Sequence, residues 1–364
     1  MSLMTLIRLA VLLILGWTLT ALGIGALSGI VPSGDAPTYY LPQPALHDIL
    51  SAHWPSTQEH HLVDLATGRS TPVHLPPGED WSLLSISPWR DPRGELEAVG
   101  RWVSRDQDVA WGWGLVRLSD GAVLGRIGLE KLPTSRPCWI PGRLRSILYG
   151  AGDGRLYQCT LPTGGDTGDS REPPRDSSGQ AAEPLPLAWR VPPPGLGEVF
   201  LADPVWSSDP RLRKWVIVAL SVKRQRAGRV VFQQPRLWWL EMSERADAIL
   251  AAGPLSGPAG DEPKPADDTL AERLPNLAAG ASGSIHLVWL ARRAGEDSWR
   301  LRSAVLGFDS GTGRPRVDPD TVASLGSGAE LATAPQVLSA DGRRVFRVAS
   351  PGRIASLPVT PPSD

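Results

Sequence analysis

The feature that most limits the fold is a recurring unit: a short apolar strand, a polar turn, then a strongly apolar strand. Copies span Leu83–Val103, Pro137–Ala151, Phe200–Val222, Leu274–Arg292 and Ala334–Ser350. Their second strands include Trp215-Val216-Ile217-Val218-Ala219-Leu220 and Ile285-His286-Leu287-Val288-Trp289-Leu290. Runs without polar alternation belong to strands covered on both faces. Between the copies lie hairpins that do alternate. His61–Val73 turns at a Gly, Leu115–Leu124 turns at Asp120-Gly121, and Leu306–Gly313 is a looser version. The Asp-Gly pair favours a type I′ turn. Doubly covered strands interleaved with half-exposed hairpins suit a β-propeller, whose inner strands are sandwiched between neighbouring blades. Successive units start about 55–75 residues apart, insertions included, and a four-stranded blade needs roughly 40–50. No gap is long enough to hide a blade. The expected fold is therefore all-β: a single propeller of about five blades, with six or seven as alternatives, because the strands at the seam do not count out evenly. Closure is expected from pairing of the hairpin at Glu59–Leu75 with the C-terminal unit at Ala334–Val359.

Composition agrees. The 36 Pro and 38 Gly mark many turns and argue against a helical protein. Fifteen Trp stand against four Tyr and four Phe, an excess that asks for an explanation. The formal net charge of −1 gives no support to nucleic acid as a partner.

One segment is not propeller-like. From Leu9 to Val31 there is no charged residue, and about 20 apolar residues suffice for a helix to cross a bilayer. Arg8 precedes the run and Asp35 follows it, so the N-terminus is expected in the cytoplasm and the remainder outside. The alternative is a cleaved signal peptide, with Ala26-Leu27-Ser28 as the cleavage site. Length favours the anchor. The expected organisation is an anchor over 1–31, a Pro-rich tether over 32–58, the propeller over 59–359 and a tail over 360–364. Leu46, Ile49, Leu50 and Trp54 recur at helical spacing and predict a short helix within the tether. Residues 163–183 and 253–268 are almost devoid of apolar side chains and read as disordered insertions.

Leu338-Ser339-Ala340-Asp341-Gly342-Arg343-Arg344-Val345 resembles the Ser-x-Asp-Gly-Lys/Arg signature of the TolB-type, WD40-like propeller repeat. Leu62–Gly68 resembles the outer hairpin of the same repeat, and Val205-Trp206-Ser207-Ser208-Asp209-Pro210 is a weaker copy with Pro in place of Gly. The WD40 Gly-His and Trp-Asp signatures are absent. The resemblance spans about Glu59 to Val359. It implies an architecture and a prior for protein-binding platforms at the cell envelope rather than a chemistry.

Chemistry-bearing motifs are sparse. Gly280-Ala281-Ser282-Gly283-Ser284 fails the nucleophile-elbow pattern at its last position, and no Walker or His-Glu-x-x-His motif occurs. Gly150–Gly154 joins two strands and reads as a hairpin turn rather than a nucleotide loop. Asp106 and Asp108 read as a solvated pair. His47, His53, His60, His61 and His74 cluster in sequence, but His60 and His61 point to opposite faces of a strand, so no metal site is expected. Cys138 and Cys159 fall on the first and third strands of one blade. Their backbones would then lie ~9–10 Å apart, beyond the roughly 7 Å reach of a disulfide. Buried free thiols are expected, although the compartment would permit a bridge. The tryptophans are the remaining candidates: Trp111 and Trp113 share a strand face, and Trp238 adjoins Trp239 on the opposite face. Exposed, Trp111, Trp113 and Trp238 would stack on sugars or anchor a partner. Buried, they would pack between blades.

The expectation is a membrane-anchored, extracytoplasmic, non-catalytic platform for a protein partner, with no cofactor, no metal and no nucleic acid. A carbohydrate- or peptidoglycan-related binding protein or enzyme using the propeller funnel is the alternative.

Overall fold

Each recurring unit supplies the first two strands of an antiparallel sheet, and there are six such sheets in the computed structural model. The structure describes strands at 38–40 and 49–54 and most of residues 59–359. Residues 1–37, 162–184, 191–196, 256–269, 329–335 and 360–364, with shorter loop stretches, lie outside the described residues.

Blade 1 is β1 (Thr38–Tyr40), β2 (Ile49–Trp54), β3 (Glu59–Asp64) and β4 (Ser70–Val73), paired in chain order. Blade 2 repeats this with β5 (Glu79–Arg90), β6 (Leu96–Ser104), β7 (Trp111–Arg117) and β8 (Val123–Ile127). Blade 3 is β9 (Cys138–Trp139), β10 (Ser146–Gly150), β11 (Leu156–Thr160) and β12 (Leu185–Pro186). The chain then places β13 (Ala188–Trp189) on the outer edge of blade 4. That blade is built from β14 (Glu198–Trp206), β15 (Trp215–Arg226), β17 (Arg236–Met242) and β18 (Ala248–Pro254). Its extra strand β16 (Arg229–Phe232) pairs only with the far end of β15. Blade 5 is β19 (Leu270–Ala279), β20 (Ile285–Arg293) and β21 (Trp299–Phe308), with β22 (Pro315–Val317) and β23 (Ala323–Gly328) both on β21. Blade 6 has three described strands: β24 (Gln336–Leu338), β25 (Arg344–Ser350) and β26 (Arg353–Pro358).

Six apolar clusters fill the six interfaces between these blades, which makes the ring closed. Leu62 packs with Leu83, Ile86, Ala98 and Leu118 between blades 1 and 2. Val99, Trp113 and Leu115 meet Trp139, Ile147 and Tyr149 between blades 2 and 3. Cys138, Ile140 and Leu148 meet Trp206, Val216 and Leu240 between blades 3 and 4. Ile217, Leu237 and Trp239 meet Leu277, Leu287 and Trp289 between blades 4 and 5. Val288, Leu290 and Trp299 meet Leu338, Val345 and Val359 between blades 5 and 6. The last interface, between blades 6 and 1, joins Val337, Phe346 and Ile354 to Ala52, Val63 and Leu65.

This corrects four expectations. The blade number is six, the first alternative to about five; the blade that went uncounted is blade 1. Its inner half lies in the segment read as a tether, where residues 49–54 form β2 instead of helix. Helical spacing over so short a run does not exclude a strand, and the long partner β3 settles the matter through six consecutive pairs from Ile49↔Asp64 to Trp54↔Glu59. Nor does the hairpin at Glu59–Leu75 pair with the C-terminal unit. Its inner edge is already bonded to β2, so among the described residues blades 1 and 6 are separate sheets and side chains make the seam. The second insertion also starts later than its composition suggested, because β18 runs to Pro254 and Leu255 is buried. The remainder of both insertions, and the segment read as a membrane anchor, lie outside the described residues. Among the described residues no helix is long and apolar enough to cross a membrane.

The tryptophan excess has a packing account. Trp81 lies across two strand glycines of its own blade: a Cβ on Gly100 or Gly114 would come within 2.9 or 2.8 Å of its ring. Trp239 covers Gly253 in the same way. A glycine in a strand interior is often the mark of such close approach, and a flat ring on a bare backbone fills a layer between two sheets.

Candidate functional site: the axial channel

The first strands β1, β5, β9, β14, β19 and β24 lie side by side around the axis. Three of them share a sequence pattern that the turn motifs had masked: Arg136-Pro137-Cys138-Trp139, Asp203-Pro204-Val205-Trp206 and Leu274-Pro275-Asn276-Leu277. Ala334-Pro335-Gln336-Val337 continues it in sequence into blade 6. Proline has no N–H to give to a ladder and is tolerated on an edge strand, and the innermost strand of a blade is such an edge. In β14 and β19 the pairing slips at this point, between Ala202 and Val205 and between Arg273 and Asn276. Asp203 and Leu274, each preceding its proline, take positive φ of 49° and 51°.

These two bulges touch. The Leu274 N–H donates to Asp203 Oδ2 at 3.2 Å, joining blade 5 to blade 4. Burial raises the proton affinity of Asp203. The charge of Arg273 opposes this most, followed by the Leu274 N–H and by Arg136 from blade 3. Arg136 is itself pushed down to about 10 by burial, with Asp203 acting the other way. All three residues are half-buried. Next to them, Asn276 is buried and bonds blade 6 on both sides of its amide. Its Nδ2 donates to the Gln336 carbonyl at 3.4 Å, and its Oδ1 accepts from the Leu338 N–H at 3.4 Å. Ser135 Oγ accepts from the Gly150 N–H at 2.6 Å. The inner strands are thus linked by hydrogen bonds from blade 4 to blade 6, with the charges of Arg273 and Arg136 acting on the one carboxylate, Asp203. Such a centre can hold an anion or fix the blades in register.

Two further ion pairs cross interfaces. Glu97 of blade 2 is 2% exposed and receives Nε of Arg145, from the β9–β10 turn, at 3.0 Å; this bond holds the Arg145 guanidinium above its ordinary pKa. Glu272 of blade 5 is 4% exposed and accepts from Arg236 Nε at 2.8 Å and from the Leu237 N–H at 3.3 Å.

The Ser-x-Asp-Gly motif does what its residues suggest. Ser339 Oγ donates to Asp341, which also accepts from the Arg343 N–H at 3.0 Å, and the Arg344 N–H returns to Ser339 Oγ at 2.9 Å. The hydroxyl and then the amide hold the Asp341 carboxyl below its usual range. Gly342 has φ +70°, and a Cβ there would also press on His286. In the weaker copy, Asp209 caps a 3-10 turn at Pro210–Leu212, so the proline redirects the loop.

The candidate tryptophans do not converge. Trp113 is buried edge-on to Tyr149 with ring centroids 4.9 Å apart, between blades 2 and 3. Trp238 is buried between blades 3 and 4. Trp111 is half-buried at the strand end, with the Arg101 guanidinium 6.0 Å from its ring. Cys138 and Cys159 are free and buried. They pair with Leu148 and Ile147, adjacent residues of β10, and so face opposite sides of the sheet. Burial pushes both thiols up to about 12. His53 and His60 stack at 4.4 Å, while His61 meets Ser70 Oγ at 2.9 Å. Among the described residues no three metal-ligating side chains come together. Gly150–Gly154 closes the β10–β11 turn. Asp106 and Asp108 lie outside the described residues.

No family model and no curated protein matches the chain. Among solved structures it is similar to the β-propeller domain of Cps50 (Swd1) from Myceliophteria thermophila, at 11% identity, covering 90% of this chain and 85% of that one, with a TM-score of 0.42. It is similar also to a protein of unknown function from Dyadobacter fermentans, at 10% identity, 85% and 89% coverage and a TM-score of 0.41. A chain of a mitotic checkpoint complex gives 8% identity, 91% and 94% coverage and a TM-score of 0.37.

Proposed function

We propose that this propeller is a non-catalytic scaffold of the TolB-type, WD40-like kind, held at the outer side of a membrane by its apolar segment Leu9–Val31 and presenting its faces to a protein partner. The observation that carries the reading is where the buried polar side chains go. Asp203, Asn276, Glu97 and Glu272 each bond a neighbouring blade. Groups committed in this way tie blade 2 to 3, blade 4 to 5 and blade 5 to 6, and leave recognition to the loops and edges at the two faces of the ring. The apolar run, Arg8 before it and the Pro-punctuated stretch after it support the placement beside a membrane.

The test is crosslinking in native membranes, with wild type and Asp203→Asn side by side. A scaffold keeps the same crosslinked partner when Asp203 is neutralised and merely melts lower. Loss of the partner or of a bound solute at unchanged melting temperature would assign the channel a ligand instead. Titration with peptidoglycan fragments addresses the carbohydrate alternative: saturable binding abolished by Trp111→Ala would overturn the platform reading.

A further inference from the structure

Among the described residues, the β15–β16 hairpin is the extension of blade 4 that reaches past its own sheet. Beyond its last pair with β14, at Glu198↔Lys223, β15 continues for three residues and is covered only by β16, with Arg224↔Val231, Gln225↔Val230 and Arg226↔Arg229 in register. At the strand rise this carries the tip about 10 Å past the blade. Val230, Val231 and Phe232 are consecutive and 52%, 45% and 51% exposed, so apolar side chains emerge on both faces of the strand. Phe232 has one aromatic neighbour, Phe200, at 5.8 Å. The same two strands carry Lys223, Arg224, Arg226 and Arg229 and no acidic residue. Lys223 is paired with Glu198 at 2.7 Å, and Arg224 is exposed. Basic residues around a protruding apolar row are what an anionic lipid surface attracts.

Topology says where that surface would be. The first strand of every blade starts on the same face of the ring and the second strand returns to it. The β10–β11 turn, for instance, lies against the beginning of β14 through the bond from the Leu201 N–H to the Gly154 carbonyl at 2.9 Å. The end of β15 therefore projects from the face on which β1 begins. Thr38, the first residue of β1, is seven residues after Val31, a stretch that reaches roughly 25 Å at full extension. A ring tethered so closely presents to the membrane the face that carries the hairpin.

We infer that the β15–β16 hairpin docks on the anionic lipid headgroups of the membrane to which the chain is tethered. The inference rests on the anchor reading above, and the experiment separates the two. The full chain carrying Phe232→Cys is labelled with an environment-sensitive fluorophore and reconstituted into vesicles of phosphatidylcholine, with or without phosphatidylglycerol and with spin-labelled lipid as quencher. Cys138 and Cys159 are buried and do not compete for label. Leu144→Cys, an exposed position in the β9–β10 turn on the opposite face, is the reference. The expected result is a blue shift and quenching at position 232 in anionic vesicles, weak in neutral ones, and neither at position 144. Each of Arg224→Glu and Arg229→Glu should lower the docked population about fivefold or more, since a single basic residue near an anionic surface contributes on that scale. Alkaline washing of the same vesicles reads the anchor. If the chain stays in the membrane but position 232 is not quenched in either lipid, the hairpin inference is overturned and the anchor stands. If the wash strips the chain, the anchor reading fails; quenching at 232 by added anionic vesicles would then still support hairpin docking, and its absence would overturn both.

Discussion

On the third strand of blade 4, residues Leu237–Leu240 are all buried; on the third strand of blade 1, Leu62 and Val63 are only half-buried, as is Leu65 just beyond it. Blade 4 is flanked by Trp206, Trp215, Trp238 and Trp239, with Trp215 and Trp239 edge-to-face at 5.2 Å. Among the described side chains, blade 1 sets His53 against His60 on adjacent strands. Both blades occupy equivalent places in the ring, so the difference lies in side chains rather than in topology. A closed ring divides its stability among its interfaces, and among the described residues it does so unequally. Local opening follows the interface with least apolar burial, which on the described side chains puts the first opening beside the outer half of blade 1.

The comparison is broken most directly by truncation. Trp215→Ala should destabilise the protein by about 3–5 kcal/mol, and Phe346→Ala, at the seam with blade 1, by about 2 kcal/mol because its neighbours are partly wet already. Denaturant melts of the two variants read this, and an equal or reversed ranking would refute the uneven ring. Next comes Gly121→Ala. A Cβ there would fall on the His74 carbonyl, and the residue has φ +68°, so the blade 2 turn must leave the end of blade 1 at a cost of about 2–4 kcal/mol. Hydrogen exchange should then rise first in blade 1; a rise spread evenly around the ring would argue against its being the weak element.

His60 sharpens the contrast by pH. Burial, then His53, lower its pKa from 6.5 to about 4, with Asp80 opposing. The unfolded chain takes up a proton near 6.5 and the folded chain does so only near 4. Stability therefore falls as pH drops through that window, by up to roughly 3 kcal/mol. Melts from pH 7.5 to 4 should show the loss, and His60→Gln should flatten it. The smallest effect is expected from deleting residues 166–180, a stretch too poor in apolar side chains to contribute a core; a shift of more than a few degrees in melting temperature would show otherwise.

Much of this was legible in the strand patterns. The runs at Trp215–Leu220 and Ile285–Leu290 announce doubly covered strands, and the positions of Cys138 and Cys159 two strands apart follow from counting hairpins. Blade 1 was harder to see. Leu46, Ile49, Leu50 and Trp54 fit a helical face and a strand equally over so short a stretch, and only the pairing with β3 decides. The channel was not legible as a site. Ala202-Asp203-Pro204 looks like an ordinary turn, and Arg136 and Arg273 are far from it in sequence; only the ring brings them together. The usable signal was the proline that recurs before Cys138, Val205, Asn276 and Gln336, which marks the innermost edge of four blades and the residue before it.

The seam between blades 6 and 1 has a consequence in time. Its two halves are the earliest and latest parts of the propeller to be synthesised, so Ala52 and Val63 are complete long before Val337 and Phe346 exist to cover them. At about 5–20 residues per second, a nascent ring waits many seconds with one sheet face bare. Among the described residues no strand is exchanged across the seam to guide the final contact. Until blade 6 has been made, the face of blade 1 that carries Ala52 and Val63 is left open, and a ring without its sixth blade keeps that apolar face bare.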